Sequence, residues 1–372
     1  MKIRGAGIAA TLAAVAIVVG ACGGGASPSA TGGASGKIAL LFPEKQTARY
    51  EAADHPYFEA KFKELCPNVE IVYSNASESV DTQQTQADAA LTAGVKVMVL
   101  DPVDGKSAKA IVDKAKAQKV PVISYDRLTQ GDIDYYISFD NEQVGKLQGE
   151  ALIAKLKADG NPTGPITMIN GSPKDNNALL FNKGAKDAFT AAGVVIAKED
   201  SAANWKPEEA QTIMDGFIAA LGKDGFKGAY QANDGTAGGA IVAMKNAGID
   251  VTKIPTTGQD AETAAIQRII AGEQYMTVYK AIKPEAEAAA QLACDLASGK
   301  TIDNATVTGG KTVKNDTKDV PSILLTPIAV TKDGSVAGTK SVKDTVIADK
   351  FTDVAKLCTP DYQKFCDELG IK

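Results

Sequence analysis

Ionic and amide side chains follow one apolar run after another in this sequence, and such residues bind ligands more readily than they fill a core. VPVISYD ends in Asp126, with Arg127 next, and ITMING is followed closely by Asp175 and Asn177. Comparable positions after other apolar runs hold Arg49, Asn233, Asp260 and Lys280. Carboxylates accept hydrogen bonds from hydroxyl groups, asparagine both donates and accepts, and arginine offers a rigid fork of donors. The set therefore favours an uncharged ligand with several hydroxyl groups.

The charges of this set are expected to cancel. Three acidic residues stand against three basic ones, namely Asp126, Asp175 and Asp260 against Arg49, Arg127 and Lys280. A phosphorylated ligand would require surplus positive charge, whereas a neutral polyol would not. Trp205, the only tryptophan, lies in AANWKPEE just before a predicted helix, where its ring could cover the C–H face of a sugar.

Each of these residues also has an ordinary structural explanation. Asp175, Asp234 and Asp260 precede predicted helices and could be N-caps. Asp126 and Arg127 could form an exposed ion pair worth at most about 1 kcal/mol, and Trp205 could pack in a core or a hinge. The glycine-rich NDGTAGGA lacks the P-loop lysine and the GxGxxG spacing, so it is a weak candidate for a nucleotide site. Placement after successive strands is what favours a common site.

The elements that must position these residues alternate between strand and helix. From residue 37 onward, β runs are separated by helical segments of about ten to fifteen residues, a pattern typical of right-handed βαβ units with parallel sheets. The pattern starts afresh after Asp140-Asn141, which we expect to cap the next helix. Because open α/β sheets bind ligands beyond the carboxyl ends of their strands, the polar residues would meet there.

The fold class predicted is therefore α/β, with two Rossmann-like, doubly wound parallel-sheet lobes that the chain joins more than once. The N-terminal lobe is expected to span 37–140 plus about 281–328, and the C-terminal lobe 141–280 plus about 329–372. A strand is predicted over IPTTGQD and a final helical segment near 344–370.

Composition excludes several other classes. The 372 residues carry a net charge of −5, so there is no basic footprint for nucleic acid. The single histidine, His55, makes a histidine-based metal site or a Ser-His-Asp triad improbable, and its polar surroundings predict an exposed side chain. We expect no metal and no cofactor.

The N-terminus is typical of an export signal. Lys2 and Arg4 precede an apolar run that is too short to cross a bilayer and ends in VGAC at Cys22. VGAC resembles a bacterial lipobox, so residues 1–22 are predicted to be a lipoprotein signal peptide with Cys22 lipidated. An ordinary signal peptide cleaved elsewhere is the alternative. Residues 23–36, rich in Gly, Ser, Ala and Thr, are predicted to be a flexible tether, so the protein would be anchored to the membrane by lipid alone.

Four cysteines remain after Cys22, and an exported chain can oxidise them. Cys358 and Cys366 lie eight residues apart, and we predict a local disulfide between them. The pairing of Cys66 and Cys294 stays open.

Several long motifs resemble the periplasmic D-xylose-binding proteins of bacterial ABC importers, which have the type I, ribose-binding-like solute-binding fold. These motifs are YDR, DIDYYISFDNEQVGKLQ, NDGTAGGAI, GQDAE with IQRIIAGEQYMTVYK, and DVPSILLTPIAVTKD, and the resemblance covers about residues 37–350. It implies two lobes joined by three hinge segments that close on one monosaccharide. The sugar contacts that it implies are Arg49, Asp126, Arg127, Asp175, Asn177, Trp205, Asn233, Asp260 and Lys280.

The resemblance has two departures near its first arginine. Pro43-Glu44 stand where the family has an acidic pair, and Tyr50 stands where it has a tryptophan. Tyr50 could still stack on a sugar. The segment that carries the C-terminal cysteines lies beyond the family pattern.

The function expected is that of a monomeric, lipid-anchored receptor that delivers a monosaccharide, D-xylose first, to an ABC permease. A sensor that presents sugar to a membrane receptor, or a receptor for arabinose, glucose or galactose, is the alternative. An exported glycosidase is disfavoured, since the cations near these carboxylates are expected to lower their pKa, whereas a general acid needs a raised one. A transcription regulator would need an N-terminal helix-turn-helix, and residues 1–36 provide none.

Overall fold

The computed structural model describes residues 35–372. Cys22, and the predicted signal peptide and tether up to residue 34, lie outside the described residues. The strands are β1 (Gly36–Phe42), β2 (Val69–Asn75), β3 (Met98–Leu100), β4 (Val122–Tyr125), β5 (Tyr135–Phe139), β6 (Ile166–Asn170), β7 (Ile196–Ser201), β8 (Gly228–Gln231), β9 (Met276–Tyr279), β10 (Thr312–Lys314), β11 (Asp319–Leu325), β12 (Ile328–Thr331) and β13 (Lys340–Ser341).

The helices alternate with these strands along most of the chain. They are α1 (His55–Leu65), α2 (Val80–Thr92), α3 (Lys109–Ala117), α4 (Asn141–Ala158), α5 (Asn176–Ala192), α6 (Pro207–Leu221), α7 (Asp234–Asn246), α8 (Thr263–Ala271), α9 (Ile282–Ala297), α10 (Asn304–Thr308), α11 (Val354–Leu357) and α12 (Gln363–Leu369). Shorter turns are π-helical over Tyr50–Asp54 and Lys343–Ile347 and 3-10 over Val251–Lys253.

The large sheet has the strand order β10-β11-β5-β4-β3-β1-β2 and is parallel except at β10. Strand β1, which lies between β3 and β2, is apolar on both sides: Leu40 and Phe42 enter one core cluster while Ala39 and Leu41 enter another. A strand covered on both faces needs such a continuous apolar run. We call this sheet with α1–α3, α9 and α10 the N-terminal lobe.

The C-terminal lobe holds two smaller sheets, β7-β6-β8 and β13-β12-β9, with α4–α8 and the C-terminal helices. The prediction of a strand over 254–260 is wrong, because this segment does not form a regular strand. That segment makes only isolated bridges, from Thr256 to Ala229 and from Gln259 to Val278. Tertiary packing accompanies this irregularity: Gly258 lies so close to Asp234 that a Cβ atom there would be 2.0 Å from Oδ1.

The chain crosses between the lobes three times. The crossings run from Phe139 to α4, from Tyr279 to α9, and from Leu325 to Ile328. Asp140 is the N-cap of α4, and its side chain accepts from the backbone N–H of Gln143 at 3.0 Å, which confirms the predicted cap. Two of the three crossings, those after Phe139 and Tyr279, therefore lead directly into helices.

The C-terminal segment covers these crossings. The final helical segment predicted near 344–370 is helical in three separate pieces, a π-helical turn and the short helices α11 and α12. Phe351 packs against an apolar cluster that contains Phe139, Ile282 and Leu325, one residue from each crossing. The segment thus adds apolar packing where the two lobes join.

Two disulfides link the described cysteines. Cys358 and Cys366 are bonded in the C-terminal segment, the local pairing that their spacing predicted. Cys66 and Cys294, 228 residues apart, join the end of α1 to α9. The second bond therefore fixes α9, which leads away from the second crossing, to the N-terminal lobe.

Candidate functional site

One cavity is lined by residues that follow the carboxyl ends of strands in both lobes. The structure brings all ten residues predicted for the site to this cavity: Arg49, Tyr50, Asp126, Arg127, Asp175, Asn177, Trp205, Asn233, Asp260 and Lys280. Thr47, Phe181 and Gln259 complete the lining. The space open to a water-sized molecule is about 20 Å³, so the side chains close tightly around the cavity.

Arg49 is the centre of an ion-pair network in the N-terminal lobe. Its Nε and Nη2 atoms donate to the two carboxylate oxygens of Asp54 at 2.8 and 2.6 Å. Nη2 also donates to Glu285 at 2.6 Å, and Nη1 donates to Asp126 at 3.1 Å. The same Nη1 lies 4.0 Å from an oxygen of Asp260 in the other lobe. A buried guanidinium needs such partners to offset its desolvation.

Arg127 joins the two lobes. Its Nη2 donates to Glu44 at 3.1 Å within the N-terminal lobe. Its Nε lies 3.1 Å from an oxygen of Asp175 in the C-terminal lobe, as an ion pair without hydrogen-bond alignment. Asp101 lies 3.9 Å from the same Nε. The alternative of an exposed Asp126–Arg127 pair is wrong, because both side chains are buried.

Tyr50 is held by its neighbours rather than left free. Its hydroxyl donates to Asp126 at 2.7 Å. The guanidinium carbons of Arg49 and Arg127 lie 5.4 and 5.5 Å from its ring centroid, within cation–π distance. The stacking of Tyr50 on a ligand that we expected would therefore compete with two cations.

Lys280 is buried beside apolar rings. Its ammonium lies 2.9 Å from an oxygen of Asp260 and 5.5 and 5.7 Å from the ring centroids of Phe139 and Phe181. Because β9 ends at Tyr279, Lys280 stands at the start of the second crossing. This ion pair therefore connects the cavity to that crossing.

Trp205 forms an aromatic wall of the cavity. A Cβ atom at Gly171 would lie 1.9 Å from the Trp205 ring, so the indole packs directly on that backbone. The ring is buried, and its Nε1 has no protein hydrogen-bond partner. The alternative that Trp205 packs in a core is therefore confirmed in part. The residue is buried, and it also lines the cavity.

Three cavity residues hold an unusual backbone. Asp126, Trp205 and Asp260 have φ values of 53°, 58° and 99°. Such conformations cost roughly 1–3 kcal/mol each for residues other than glycine, and they cluster at functional sites. The backbone therefore aims these side chains at a cost in stability.

The alternative that the predicted aspartates are helix N-caps is confirmed for Asp175 and wrong for Asp234 and Asp260. Asp175 is an N-cap, because its Oδ1 accepts from the backbone of Asn177 at 2.8 Å, and it lines the cavity as well. The cap of α7 is Asn233, whereas Asp234 is buried outside the cavity lining and accepts from Thr277 at 2.9 Å. Asp260 caps no helix, since Glu262 precedes α8.

Asn177 links the lobes through its amide. Its Nδ2 donates to the carbonyl oxygen of Asp126 at 3.0 Å, and its Oδ1 accepts from Asn141 at 2.9 Å. Tyr136 also donates to this Oδ1, at 3.4 Å. Much of the hydrogen-bonding capacity of Asn177 is therefore used across the cleft.

The carboxylates differ in pKa. Burial alone would raise the pKa of Asp126, but Arg49, Lys280, the Tyr50 hydroxyl and Arg127 outweigh it and lower the pKa to about 2. Burial raises the pKa of Asp175, and Arg127 offsets only part of the effect. The prediction that neighbouring cations would lower the pKa of most of these carboxylates is therefore wrong for Asp175, because desolvation dominates there.

The charged residues of the cavity lining balance three against three, as predicted, but further carboxylates lie behind them. Seven carboxylates lie within 4.0 Å of the three cations, namely Glu44, Asp54, Asp101, Asp126, Asp175, Asp260 and Glu285. Burial raises the pKa of four of them, Asp54, Asp101, Asp175 and Glu285.

Comparison with known proteins agrees with this arrangement. Residues 38–301 match the model of the periplasmic binding protein domain. The D-xylose-binding periplasmic protein of Escherichia coli is 37% identical over 85% of this chain and 90% of its own length. The chain belongs to the periplasmic binding protein family. The corresponding protein of Haemophilus influenzae is 34% identical over 85% of this chain and 90% of its length.

Solved structures identify the type I fold of this family. An ABC transporter solute-binding protein from Clostridium phytofermentans, with bound β-D-glucose, superposes with a TM-score of 0.74 at 26% identity, covering 86% of this chain and 99% of that one. A carbohydrate transporter solute-binding protein from Chloroflexus aurantiacus, in complex with D-glucose, gives 0.70 at 27% identity, covering 86% and 97%. The chain is thus an extracytoplasmic substrate-binding protein and not an enzyme.

Sequence reasoning missed the carboxylates that hold the two arginines of this binding protein. Asp54, Glu285 and Glu44 are fully buried and pair with Arg49 or Arg127. Glu285 lies in KPEAEAAA, which reads as an ordinary helix surface. Asp101 directly follows the apolar run VKVMVLDP, so its place after a strand was a usable signal.

The rest of the described chain offers no competing chemistry of these kinds. None of the helices between residues 35 and 372 has the length and apolar character needed to cross a membrane. Across that same range, no group of three or more His, Cys, Asp or Glu residues is arranged to hold a metal ion. His55, predicted to be exposed, is half-buried because its ring stacks on Tyr73 with centroids 3.8 Å apart.

Proposed function

We propose that this binding protein is a lipid-anchored receptor that captures one D-xylose molecule between its lobes and delivers it to an ABC permease. The observation that carries the proposal is the convergence of all ten residues predicted for the site on one cavity. The similarity to two D-xylose-binding periplasmic proteins, at 37% and 34% identity, supports the choice of sugar.

The cavity has the groups that a monosaccharide requires. Asp126, Asp175 and Asp260 supply acceptors for hydroxyl groups, and the arginines supply donors. The Trp205 ring offers an apolar face for the C–H groups of the sugar. The space open to a water-sized molecule is about 20 Å³ in this structure, about what a single water needs. A pentose therefore requires the two lobes to part before it can enter, which fits capture by hinge closure.

A neutral ligand suits the electrostatics. The carboxylates already outnumber the cations, and a phosphorylated sugar would add negative charge to a buried acidic cluster. A pentose of about ten heavy atoms at about −0.8 kcal/mol per atom reaches micromolar affinity. Such affinity requires nearly every hydroxyl to be paired, because a buried unpaired group costs about 1–3 kcal/mol.

Capture is proposed to proceed by hinge closure. Arg49, Asp126 and Arg127 belong to the N-terminal lobe, whereas Asp175 and Asp260 belong to the C-terminal lobe. A sugar that binds one group first gains its remaining hydrogen bonds only when the other lobe closes, so binding energy favours the closed state. The lobe boundaries proposed are 37–140 plus about 281–328, and 141–280 plus about 329–372.

Anchoring is proposed through Cys22 and the tether over 23–36, and the receptor is proposed to act as a monomer. Replacing Cys22 by Ser should release the protein from the membrane fraction, while sugar binding persists. A Cys22→Ser protein that stays in the membrane fraction would contradict lipidation at this residue.

A panel of monosaccharides tests the proposal. Calorimetry and thermal shift with D-xylose, L-arabinose, D-glucose and D-galactose should give the tightest binding and largest shift with D-xylose. A ligand at a thousand times its Kd stabilises the native state by about 4 kcal/mol, which a melting curve resolves. Absence of binding by every sugar of the panel would overturn the proposal.

A receptor for several sugars is the second candidate, and a specific similarity favours it. The multiple sugar-binding periplasmic receptor ChvE of Rhizobium radiobacter is 32% identical over 80% of this chain and 87% of its own length. Equal shifts with D-xylose and D-glucose in the panel would favour this reading. A deletion strain separates transport from sensing, because loss of sugar uptake indicates transport and loss of a sugar-induced response with normal uptake indicates sensing.

A further inference from the structure

Two fully buried carboxylates hold Arg49 without lining the cavity. Asp54 and Glu285 are both 0% exposed, and neither belongs to the cavity wall. Asp54 receives hydrogen bonds from Nε and Nη2 of Arg49, and Glu285 receives one from Nη2. We call Asp54 and Glu285 the acidic clamp.

The clamp leaves little of the guanidinium free. A guanidinium has five N–H donors in a fixed plane. Asp54 takes the Nε hydrogen and one on Nη2, Glu285 takes the other on Nη2, and Asp126 takes one on Nη1. The remaining Nη1 hydrogen is the only one without a protein acceptor among the described residues, and Nη1 is the atom nearest Asp260 across the cavity.

The clamp comes from two distant parts of the chain. Asp54 ends the π-helical turn that Tyr50 begins, and its carboxylate also accepts from the hydroxyl of Tyr125. Glu285 lies 236 residues from Arg49, in the first turn of α9. This helix begins two residues after Lys280, so the group that holds Arg49 lies close to Lys280 along the chain.

We propose that Asp54 and Glu285 are positioning residues that direct a single N–H of Arg49 at the ligand and couple Arg49 to the second crossing. The inference rests on the proposed function, since it concerns the ligand contact of Arg49. Preorganisation of this kind raises affinity because the side chain loses no further rotamer freedom on binding.

The ligand test uses the full mature protein and D-xylose in calorimetry. Glu285→Gln and Asp54→Asn keep the shape of each side chain and remove its charge, and each is expected to weaken binding at least tenfold. Glu287→Gln is the matched control, because Glu287 lies on the same helix, is partly exposed and pairs with Lys283. It should leave the affinity within twofold of wild type.

A double-mutant cycle separates positioning from general damage. In an Arg49→Ala background, Glu285→Gln should change the affinity less than twofold, because Glu285 acts through the missing guanidinium. An equal loss in both backgrounds would overturn the proposal. If Glu285→Gln does not fold, Asp54→Asn supplies the same cycle.

A second readout needs no sugar. In the wild-type protein, the ¹H–¹⁵N signal of Arg49 Nε should be resolved and slow to exchange with water, and in either clamp variant it should exchange at least tenfold faster. A protected signal in both variants would overturn the clamp. Failure of the wild-type protein to bind any sugar, with the signal protected, would instead overturn the proposed function and leave the clamp intact.

Discussion

Removal of the Asp260 carboxylate should damage both ligand binding and the fold, for separable reasons. Asp260 lies 2.9 Å from the ammonium of Lys280 and accepts from Gln259 at 3.1 Å. Asp260→Ala leaves the buried Lys280 without its ion-pair partner, beside the rings of Phe139 and Phe181. Removing one partner of a buried ion pair costs about 3–5 kcal/mol of stability.

The loss of affinity has a different source. A hydrogen bond between a ligand hydroxyl and a charged group contributes about 1.5–3 kcal/mol, and 1.4 kcal/mol corresponds to a factor of ten. Asp260→Ala should therefore weaken D-xylose binding by roughly ten- to a hundredfold in calorimetry. Asp215→Ala, at an exposed position of the same lobe, serves as the control and should bind normally.

A double variant distinguishes the two effects. Replacing Lys280 by Met together with Asp260→Ala removes both buried charges, so urea unfolding should recover much of the lost stability. Affinity should not recover, because the ligand still lacks its acceptor. Wild-type affinity in Asp260→Ala would remove Asp260 from the binding site, and unchanged stability would refute the buried-pair argument.

Three further perturbations follow from buried groups outside the cavity wall. Burial raises the pKa of the Asp234 carboxyl to about 7. Between about pH 4 and 7 the folded state therefore holds a proton that the unfolded state has released. The free energy of unfolding should fall as the pH rises across that range. Asp234→Asn should flatten that slope in pH-dependent urea unfolding, and an unchanged slope would contradict the assignment. Replacing both Cys66 and Cys294 by Ser should lower the free energy of unfolding by about 2–5 kcal/mol, since the bond closes a loop of 228 residues. A loss below 1 kcal/mol would show that the closed loop contributes little. Phe351→Ala should lower the free energy of unfolding by about 1–3 kcal/mol, less than for a fully buried Phe, because the ring is half-buried. It should also alter sugar affinity in calorimetry. Unchanged stability would mean that the C-terminal segment does not support the crossings.

The alternation of strand and helix was readable because each element carries its own periodic pattern. The helix starts at Asp140 and Asp175 were readable from local cap residues, since a cap depends on a hydrogen bond two or three residues away. The segment 254–260 was misread, because its apolar and β-branched residues suit a strand. The close approach of Gly258 to Asp234 is a tertiary contact that local patterns do not report.

The candidate site was likewise predictable from the sequence only in part. Residue types after successive strands identified the lining, because parallel strands bring their carboxyl ends to one edge. The seven-carboxylate cluster was not predictable, since Glu285 reaches Arg49 only through the return of α9 from the second crossing. The pKa of Asp175 was misjudged for a related reason: a sequence gives the neighbouring cation but not the depth of burial.

By itself, the sequence determined the α/β class, the residue types of the cavity lining and the family motifs, because these depend on periodicity and on which residues end each strand. The tertiary structure alone decided which carboxylates hold which cation, which groups shift in pKa and how the C-terminal segment covers the crossings. Those properties depend on distances between residues up to 236 positions apart and on desolvation, and both arise only when the chain is packed.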